Sequence, residues 1–262
     1  MLDHIRGVIF DMDGVIYRGN QPLAGAGETL AFLAEARIPY VMVTNNSSQT
    51  AAQYEAKLRG MGFAVPAERV ITSAAATARY LKRLAPKGGR VYLLGEAGLR
   101  AEVERAGFTL ADRSVDFVVV GIDRGLTYDK LRIAVRALLA GARFVATNPD
   151  LLLPMEDGFD PGNGVVLAAL SAATGIQPTV IGKPEPPLIE LALEVLGRDA
   201  SETAIVGDQL RTDILAGRRV GLFTIMVLTG SSHVEEITAL GISPDLVVED
   251  LPALIAAWRA AR

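Results

Sequence analysis

The chain has 262 residues, half of them hydrophobic, and a formal net charge of −4, which fits one large domain or two smaller ones. It contains no cysteine and only His4 and His233, which excludes disulfide bonds, thiolate metal sites, cysteine nucleophiles and multi-histidine metal sites. No apolar run approaches the ~20 residues of a membrane helix, no stretch is strongly basic, and the N-terminus is charged. We therefore expect a cytoplasmic protein with neither membrane nor nucleic-acid partners.

Short, continuous apolar runs alternate along the chain with segments of helical spacing. Continuous apolarity is typical of strands that are covered on both faces, as in parallel sheets. The predicted strands are 8–10, 40–43, 91–94, 117–120, 144–146, 179–181, 203–206, 222–228 and 246–248. The predicted helices include 24–36, 128–140, 188–196 and 214–219. This alternation predicts an α/β protein, and the chain has neither the G-x-G-x-x-G nor the Walker sequence of a nucleotide-cofactor site.

The first predicted strand leads directly into Asp11-Met12-Asp13-Gly14. Ligands of open α/β sheets bind beyond the carboxyl ends of the strands. Residues i and i+2 of an extended segment face the same side, so Asp11 and Asp13 are expected to project together, and Gly14 permits a close approach. The alternative is a turn whose carboxylates bond only to their own backbone.

The second predicted strand ends in Thr44-Asn45, where a hydroxyl and a backbone N–H can hold a phosphate oxygen. The alternative is a group of helix-capping residues, since Thr50 with Gln53 resembles a capping box. Capping by Thr50 leaves Thr44 and Asn45 unexplained, because both stand at the end of the strand itself.

Two later strand ends carry further charged residues. Lys183 follows the predicted strand 179–181 and is either a ligand for an anion or a solvated loop lysine. Asp208 follows the strand 203–206 as Asp11 follows the first. Thr212 and Asp213 are both candidate N-caps of the helix from Ile214, and capping is compatible with support of the same site by Asp213.

The order Asp-x-Asp, Thr-Asn, Lys, Asp resembles the four motifs of the haloacid dehalogenase superfamily, most of whose members are phosphatases. Its first motif resembles residues 10–15, its second Thr44-Asn45, its third Lys183, and its fourth Gly207-Asp208 with Asp213. The chain also resembles the NagD-like, 4-nitrophenylphosphatase-like branch (subclass IIA). That likeness spans nearly the whole chain and is strongest in residues 13–19, 44–47, 146–150, 182–184 and 208–217.

The resemblance implies a division of the chain into two domains. A doubly wound, Rossmann-like parallel-sheet core would comprise residues 1–76 and 181–262, and an α/β cap of residues 77–180 would be inserted between them. Within the cap, Asn148 and Asp150 at a strand end are candidates for substrate binding, with turn formation as the alternative. Asp123, at another strand end, is expected to be a turn former.

The resemblance also implies a reaction. Asp11, the backbone carbonyl of Asp13, Asp208 and Asp213 would hold Mg²⁺, which prefers hard oxygen ligands. Asp11 would be the nucleophile, Asp13 the acid and base, and Lys183 a catalytic residue that supplies a second positive charge. Thr44, Asn45 and Lys183 would bind the phosphate of a small phosphorylated metabolite such as a nucleotide or sugar phosphate.

Two other functions remain open at this point. The chain could transfer phosphate to a second substrate, as a phosphotransferase or mutase does, or bind phosphometabolites without catalysis as a regulatory protein. The sequence specifies neither the physiological substrate nor whether the chain forms a homo-oligomer.

Overall fold

The computed structural model describes residues 2–155 and 158–261. Contacts divide the chain into two compact units, each built from separated segments. Unit 1 comprises Met1–Thr44, Ala51–Ile71 and Lys183–Arg262, and unit 2 comprises Asn45–Thr50 and Thr72–Gly182. The domain boundaries expected from the family resemblance remain a prediction, and each unit is described below by itself.

The described residues form fifteen strands and ten α-helices. The strands are β1 (Gly7–Asp11), β2 (Tyr17–Arg18), β3 (Gln21–Pro22), β4 (Tyr40–Thr44), β5 (Val70–Thr72), β6 (Arg90–Leu94), β7 (Thr109–Leu110), β8 (Phe117–Val120), β9 (Arg143–Ala146), β10 (Leu152–Met155), β11 (Gly158–Pro161), β12 (Thr179–Val180), β13 (Thr203–Gly207), β14 (Phe223–Val227) and β15 (Leu246–Val248). The helices are α1 (Ala26–Glu35), α2 (Ala51–Gly60), α3 (Ser73–Leu84), α4 (Ala97–Arg105), α5 (Tyr128–Leu139), α6 (Asn163–Thr174), α7 (Pro186–Leu196), α8 (Leu215–Val220), α9 (Val234–Leu240) and α10 (Leu251–Ala260).

Unit 1 is organised around a six-stranded parallel sheet with the order β15-β14-β13-β1-β4-β5. Every residue of the central strands β1 and β13 is buried, as expected for strands covered on both faces. Val8 and Phe10 of β1 join a hydrophobic core with Leu33 of α1 and Trp258 of α10. Elsewhere in unit 1, helix α7 packs against strand β4 and helix α8. Strand β1 therefore lies in the covered centre of the sheet, paired with β13 and β4.

Unit 2 has its own five-stranded parallel sheet, with the order β12-β9-β8-β6-β7. Its separate core combines Leu94, Val118 and Phe144 from the sheet with Leu138 of α5 and Leu170 of α6. Strands β10 and β11 pair in an antiparallel hairpin outside this sheet. Two parallel sheets, each with its own apolar core, confirm the predicted α/β fold class.

All nine predicted strands and all four predicted helices are present, with ends displaced by no more than two residues. The sequence patterns missed the strands of the β2–β3 and β10–β11 hairpins, the edge strand β7 and the short β5. These strands are short, and the hairpins expose much of their surface, so they lack the continuous apolar run on which the prediction depended. Among the described residues, no helix has the length and apolar composition needed to cross a bilayer.

Candidate active site

Three neighbouring strand ends in unit 1 carry the candidate residues. Strand β1 lies between β13 and β4 and runs parallel to both, so their carboxyl ends meet at one edge of the sheet. Asp11 is the last residue of β1 and pairs in register with Val43, which precedes Thr44. Asp208 directly follows β13. Parallel pairing therefore gathers at one edge side chains that lie far apart in the sequence.

Lys183 lies between two of the aspartates. Its Nζ atom donates hydrogen bonds to Oδ1 of Asp11 and to Oδ1 of Asp213, both at 2.5 Å, and all three residues are buried. Burial by itself lowers the pKa of Lys183, but the two carboxylates outweigh this effect and hold the pKa above its ordinary value. The ammonium group is therefore charged, and Lys183 is not a solvated loop lysine.

Asp11, Asp208 and Asp213 form a buried cluster in which one oxygen from each lies within 4.8 Å of the others. Three carboxylates face the single ammonium of Lys183, so the ionised cluster carries excess negative charge. Burial, together with the neighbouring carboxylates, raises the pKa of Asp11 well above its ordinary value even though Lys183 opposes the shift. Burial and then the charge of Asp213 raise the pKa of Asp208 to about 7. Such an arrangement favours a bound cation.

The oxygen atoms of this cluster fit a metal ion. Oδ2 of Asp208 accepts a hydrogen bond from the backbone N–H of Ser231 at 2.7 Å, whereas its buried Oδ1 has no hydrogen-bond partner among the described residues. An unpaired buried carboxylate oxygen is costly, and coordination of a cation would satisfy it. Hard carboxylate oxygens suit a divalent ion such as Mg²⁺.

Asp213 is held from both sides. It lies inside a π-helical turn, Leu210–Ile214, and α8 begins only at Leu215, so the interpretation of Asp213 as the N-cap of the following helix is wrong. Its Oδ2 accepts a hydrogen bond from the backbone N–H of Gln209 at 3.0 Å, while its Oδ1 bonds Lys183. Asp213 thus fixes the ammonium group that also contacts Asp11.

Asp13 stands apart from the buried cluster, and its side chain is exposed. It precedes Gly14, which adopts φ +83° and donates its N–H to the carbonyl of Tyr17 at 2.8 Å. A Cβ atom on Gly14 would lie 2.7 Å from Cγ of Asp208, so glycine is required here both for its torsion and for the close approach. Partial desolvation raises the pKa of Asp13, although the charge of Lys57 opposes the shift.

Helix α2 contributes residues that the sequence analysis did not single out. Nζ of Lys57 lies 4.0 Å from the ring centroid of buried Tyr17. Tyr54, one helical turn earlier, shares a hydrogen bond with Thr44, and burial raises the pKa of Tyr54 to about 12. The i, i+3 spacing places Tyr54 and Lys57 on one face of α2. This spacing does not mark Lys57 as a site residue, because a single lysine on an amphipathic helix is usually solvated.

In unit 2, Asn45, Asn148 and Asp150 form a second polar cluster. The side-chain amide of Asn45 donates to Asp150 Oδ2 at 3.1 Å, and that of Asn148 donates to the carbonyl of Asn45 at 2.8 Å. Oδ1 of Asn148 accepts from the N–H of Asp150 at 3.2 Å, which is the contact of a turn-forming asparagine. A role of these three residues in substrate binding stays a prediction.

Asp123 also lies in unit 2 and behaves as expected for a turn former. Its Oδ1 accepts from the N–H of Gly125 at 3.0 Å, and its Oδ2 accepts from Nζ of Lys130 at 2.6 Å. The Asp123 side chain thus bonds only to its own turn and to the following helix α5 in the contacts described.

Comparison with known proteins places the chain in a family. Residues 8–109 match the family model of haloacid dehalogenase-like hydrolases, and residues 180–254 match a second model described as HAD-hydrolase-like. The chain is 42% identical over 256 residues to the acid sugar phosphatase of Staphylococcus epidermidis, covering 97% of this chain and 98% of that protein.

Solved structures agree with this relationship over both sheets. The 4-nitrophenylphosphatase of Thermotoga maritima superposes with a TM-score of 0.93 at 37% identity, covering 100% of this chain and 99% of that one. NagD from E. coli K-12 superposes with a TM-score of 0.88 at 39% identity, covering 94% and 97%. The chain therefore belongs to the haloacid dehalogenase-like hydrolases, as a phosphatase of the branch that includes NagD and the p-nitrophenylphosphatases.

Proposed function

We propose that this phosphatase hydrolyses small phosphate monoesters in the cytoplasm, with Mg²⁺, through a covalent intermediate on Asp11. One observation carries the proposal: a buried cluster of three carboxylates and one ammonium holds excess negative charge, and one oxygen of Asp208 has no hydrogen-bond partner within the described part of the chain. Burying such a cluster destabilises a fold unless it binds something. A divalent cation would offset this excess, and the cation together with Lys183 would then attract the phosphate of a substrate.

The metal site would use Asp11, the backbone carbonyl of Asp13, Asp208 and, as the remaining acidic member of the cluster, Asp213. When bound, Mg²⁺ would offset the repulsion between the carboxylates and a phosphate dianion. At ~4 Å and an effective dielectric constant of ~20, each pair of unit like charges repels by roughly 4 kcal/mol. Lys183 supplies a second positive charge beside the Asp11 carboxylate.

In the first step, a carboxylate oxygen of Asp11 attacks phosphorus, and the bond from phosphorus to the leaving oxygen breaks. Asp13, in its protonated form, gives its proton to that oxygen. The hydrogen bond from Lys183 orients the Asp11 carboxylate for attack. Thr44 and Asn45 are proposed to donate hydrogen bonds to the phosphoryl oxygens.

In the second step, Asp13, now ionised, takes a proton from water as the water attacks the phosphorus of the aspartyl-phosphate. The bond between phosphorus and the Asp11 oxygen breaks, which releases inorganic phosphate and restores both aspartates. The raised pKa of Asp13 suits a group that must both donate and accept a proton.

The relatives support a substrate class. One is named an acid sugar phosphatase and another a 4-nitrophenylphosphatase, so sugar phosphates and aryl phosphates are the first candidates here. Nucleotides and other small phosphorylated metabolites belong to the same chemical class. Asn148 and Asp150 are retained as candidate substrate contacts, although a substrate would have to compete with their present hydrogen bonds.

The test is release of inorganic phosphate from a panel of phosphate monoesters by the purified chain, with Mg²⁺ and with a chelator. We expect turnover that disappears in chelator and returns when Mg²⁺ is restored, and Asp208→Asn should raise the Mg²⁺ concentration that is required. Full activity in chelator would contradict the metal site. Binding of phosphometabolites without release would favour a regulatory protein, and transfer to a second substrate without free phosphate would favour a phosphotransferase or mutase.

A further inference from the structure

Residues 229–232, which follow β14, contact two separate loops of unit 1. Oγ1 of Thr229 donates a hydrogen bond to the carbonyl of Gly14 at 2.6 Å. The carbonyl of Thr229 accepts one from Nη2 of Arg18 at 2.5 Å. Thr229 therefore holds residues 14 and 18 of the turn that follows Asp13, from a position more than two hundred residues away in the sequence.

The same segment lies against Asp208. The backbone N–H of Ser231 donates to Oδ2 of Asp208 at 2.7 Å, and that of Ser232 donates to the Asp208 carbonyl at 3.2 Å. A Cβ atom on Gly230 would lie 1.9 Å from Oδ2 of Asp208, so the backbone approaches as closely as glycine alone permits. Segment 229–232 thus hydrogen-bonds to Asp208 through Ser231 and Ser232, and to the turn after Asp13 through Thr229.

The turn in question determines where the Asp13 carboxylate points. The Asp13 side chain is exposed and accepts a hydrogen bond from the backbone N–H of Gly19, at the far end of the same turn. The peptide groups of Gly14 are fixed on one side by the carbonyl of Tyr17 and on the other by the hydroxyl of Thr229. Without the hydroxyl, one of these two restraints is lost.

We propose that Thr229 is a positioning residue for Asp13: its hydroxyl fixes the 14–19 turn so that the Asp13 carboxylate lies within reach of the leaving oxygen. The inference rests on the proposed function, in which Asp13 is the proton donor. A general acid acts only within about 2.6–3.2 Å of the oxygen that it protonates. A displacement of about 1 Å is enough to lower a rate by about 10²-fold.

Leaving-group dependence separates this role from a merely structural one. An alkyl phosphate needs protonation of its leaving oxygen, whereas 4-nitrophenyl phosphate has a leaving group that departs with little help. The parameter kcat/KM reports the steps up to the phosphoryl-enzyme, so the later attack by water does not enter it. The ratio of kcat/KM for the two substrates is also unaffected by the fraction of enzyme that is folded, because that fraction cancels.

The experiment compares Thr229→Val, which removes the hydroxyl at nearly constant shape, with Thr229→Ser, which keeps it. Both are assayed at saturating Mg²⁺ with 4-nitrophenyl phosphate and glycerol phosphate. The control is Thr203→Val in the same unit, where a buried hydroxyl donates to the carbonyl of Asp199 at 2.8 Å. That variant loses the same kind of hydrogen bond at a place that does not touch the turn.

We expect Thr229→Val to lower kcat/KM for glycerol phosphate about tenfold and for 4-nitrophenyl phosphate less than about twofold. Thr229→Ser should restore the wild-type ratio, and Thr203→Val should leave the ratio unchanged. An equal loss on both substrates, an unchanged ratio, or the same change of ratio in Thr203→Val would overturn the role of Thr229. If wild-type protein hydrolyses neither substrate, the proposed function fails instead, and the two failures are distinguishable.

Discussion

Each unit carries a polar cluster near strand ends, but the two clusters differ in burial and in how completely their polar atoms are hydrogen-bonded. In unit 2, Asn45, Asn148 and Asp150 bond to one another and to backbone groups, with a single formal charge among the three side chains. In unit 1, Asp11, Asp208 and Asp213 outnumber Lys183, and an oxygen of Asp208 is buried without a partner among the described residues.

This difference in hydrogen bonding and charge separates a cluster with a structural role from one with a functional role. Hydrogen bonds that use the available donors and acceptors stabilise a turn and leave little for a ligand to gain. Excess buried charge with raised pKa values is instead destabilising in the absence of a partner, and such groups concentrate at functional sites. We therefore assign the chemical steps to the unit 1 cluster, and expect the unit 2 residues to hold a turn and to act on the substrate only through binding.

The largest expected effect comes from replacing a carboxylate by an amide in each cluster. Asp11→Asn should lower turnover by at least about 10³-fold, because the amide has the shape of the carboxylate but is a far weaker nucleophile. Binding of inorganic phosphate should persist. The matched substitution in unit 2, Asp150→Asn, keeps an oxygen that can accept from Asn45. It should change turnover of 4-nitrophenyl phosphate by less than about threefold, because a substrate contact at Asp150 would act on the choice of larger substrates and not on the chemical steps.

Steady-state assays of phosphate release measure both variants, and rapid quenching followed by peptide mapping locates the phosphoryl group in the wild-type enzyme. An adduct on a residue other than Asp11, or undiminished turnover in Asp11→Asn, would contradict the nucleophile assignment. A large loss in Asp150→Asn would place unit 2 in the chemistry and remove the contrast between the clusters.

The next effect concerns Asp13, which is exposed where Asp11 is buried. Asp13→Asn should lower kcat/KM for alkyl phosphates by about 10²–10⁴-fold, the usual contribution of a general acid. With 4-nitrophenyl phosphate the first step should partly recover, while attack by water lacks its base. The phosphoryl-enzyme should then accumulate and be visible by intact mass. Equal losses on both substrates, without an adduct, would show that Asp13 does not transfer the proton.

The fold and the unit 1 site were largely predictable from the sequence, since both depend on local patterns. Continuous apolar runs identified nine of the fifteen strands in the described residues, and Asp11, Lys183 and Asp208 each follow such a run within two residues. The parallel sheet then requires the ends of neighbouring strands to meet, which brings these residues together. The assignment of the four motifs required the family resemblance as well.

Other features depended on tertiary contacts that leave no local pattern. Lys57 lies on a helix whose sequence is typical of a solvent-exposed face, and only the tertiary fold places its ammonium group over the ring of Tyr17. The hydrogen bond of Thr229 to Gly14 joins segments that are distant in sequence. Asp213 resembled a helix cap because a π-helical turn cannot be distinguished from the start of an α-helix by residue type alone.

A smaller effect should appear in stability without metal. The pKa of Asp208 is about 7 in the folded protein and 3.8 in its ordinary state. A group whose folded pKa is raised contributes stability that is fully present below pH 3.8 and is lost as pH rises through about 7. The metal-free protein should therefore melt at lower temperature at pH 8 than near pH 5, and Mg²⁺ should reverse the loss at pH 8.

Asp208→Asn removes the charge and keeps an oxygen that can accept from Ser231. At pH 8 without metal, this variant should melt several degrees above the wild type, and Mg²⁺ should no longer raise its melting temperature. Thermal denaturation with and without Mg²⁺ measures both effects. Asp150→Asn in unit 2 is the control and should show the wild-type response to Mg²⁺. A lower melting temperature in Asp208→Asn at pH 8 would show that the buried charge is not destabilising.

The smallest effect compares two lysines, one in each unit, that lie near aspartates. The charge of Lys57 lowers the pKa of Asp13 against the larger effect of desolvation, so Lys57→Met should raise the pKa of Asp13 further. Asp13 must be protonated to assist the leaving group, so the alkaline limb of kcat/KM for an alkyl phosphate should move to higher pH. Because Lys57 is partly exposed and screened, we expect a shift of about half a pH unit.

Lys57→Arg keeps the charge and should leave the alkaline limb of kcat/KM in place. Lys130→Met breaks the pair with Asp123 in unit 2 and should not move it either. If Lys57→Met moves the limb to lower pH, or if Lys130→Met moves it equally, the charge of Lys57 does not act on Asp13.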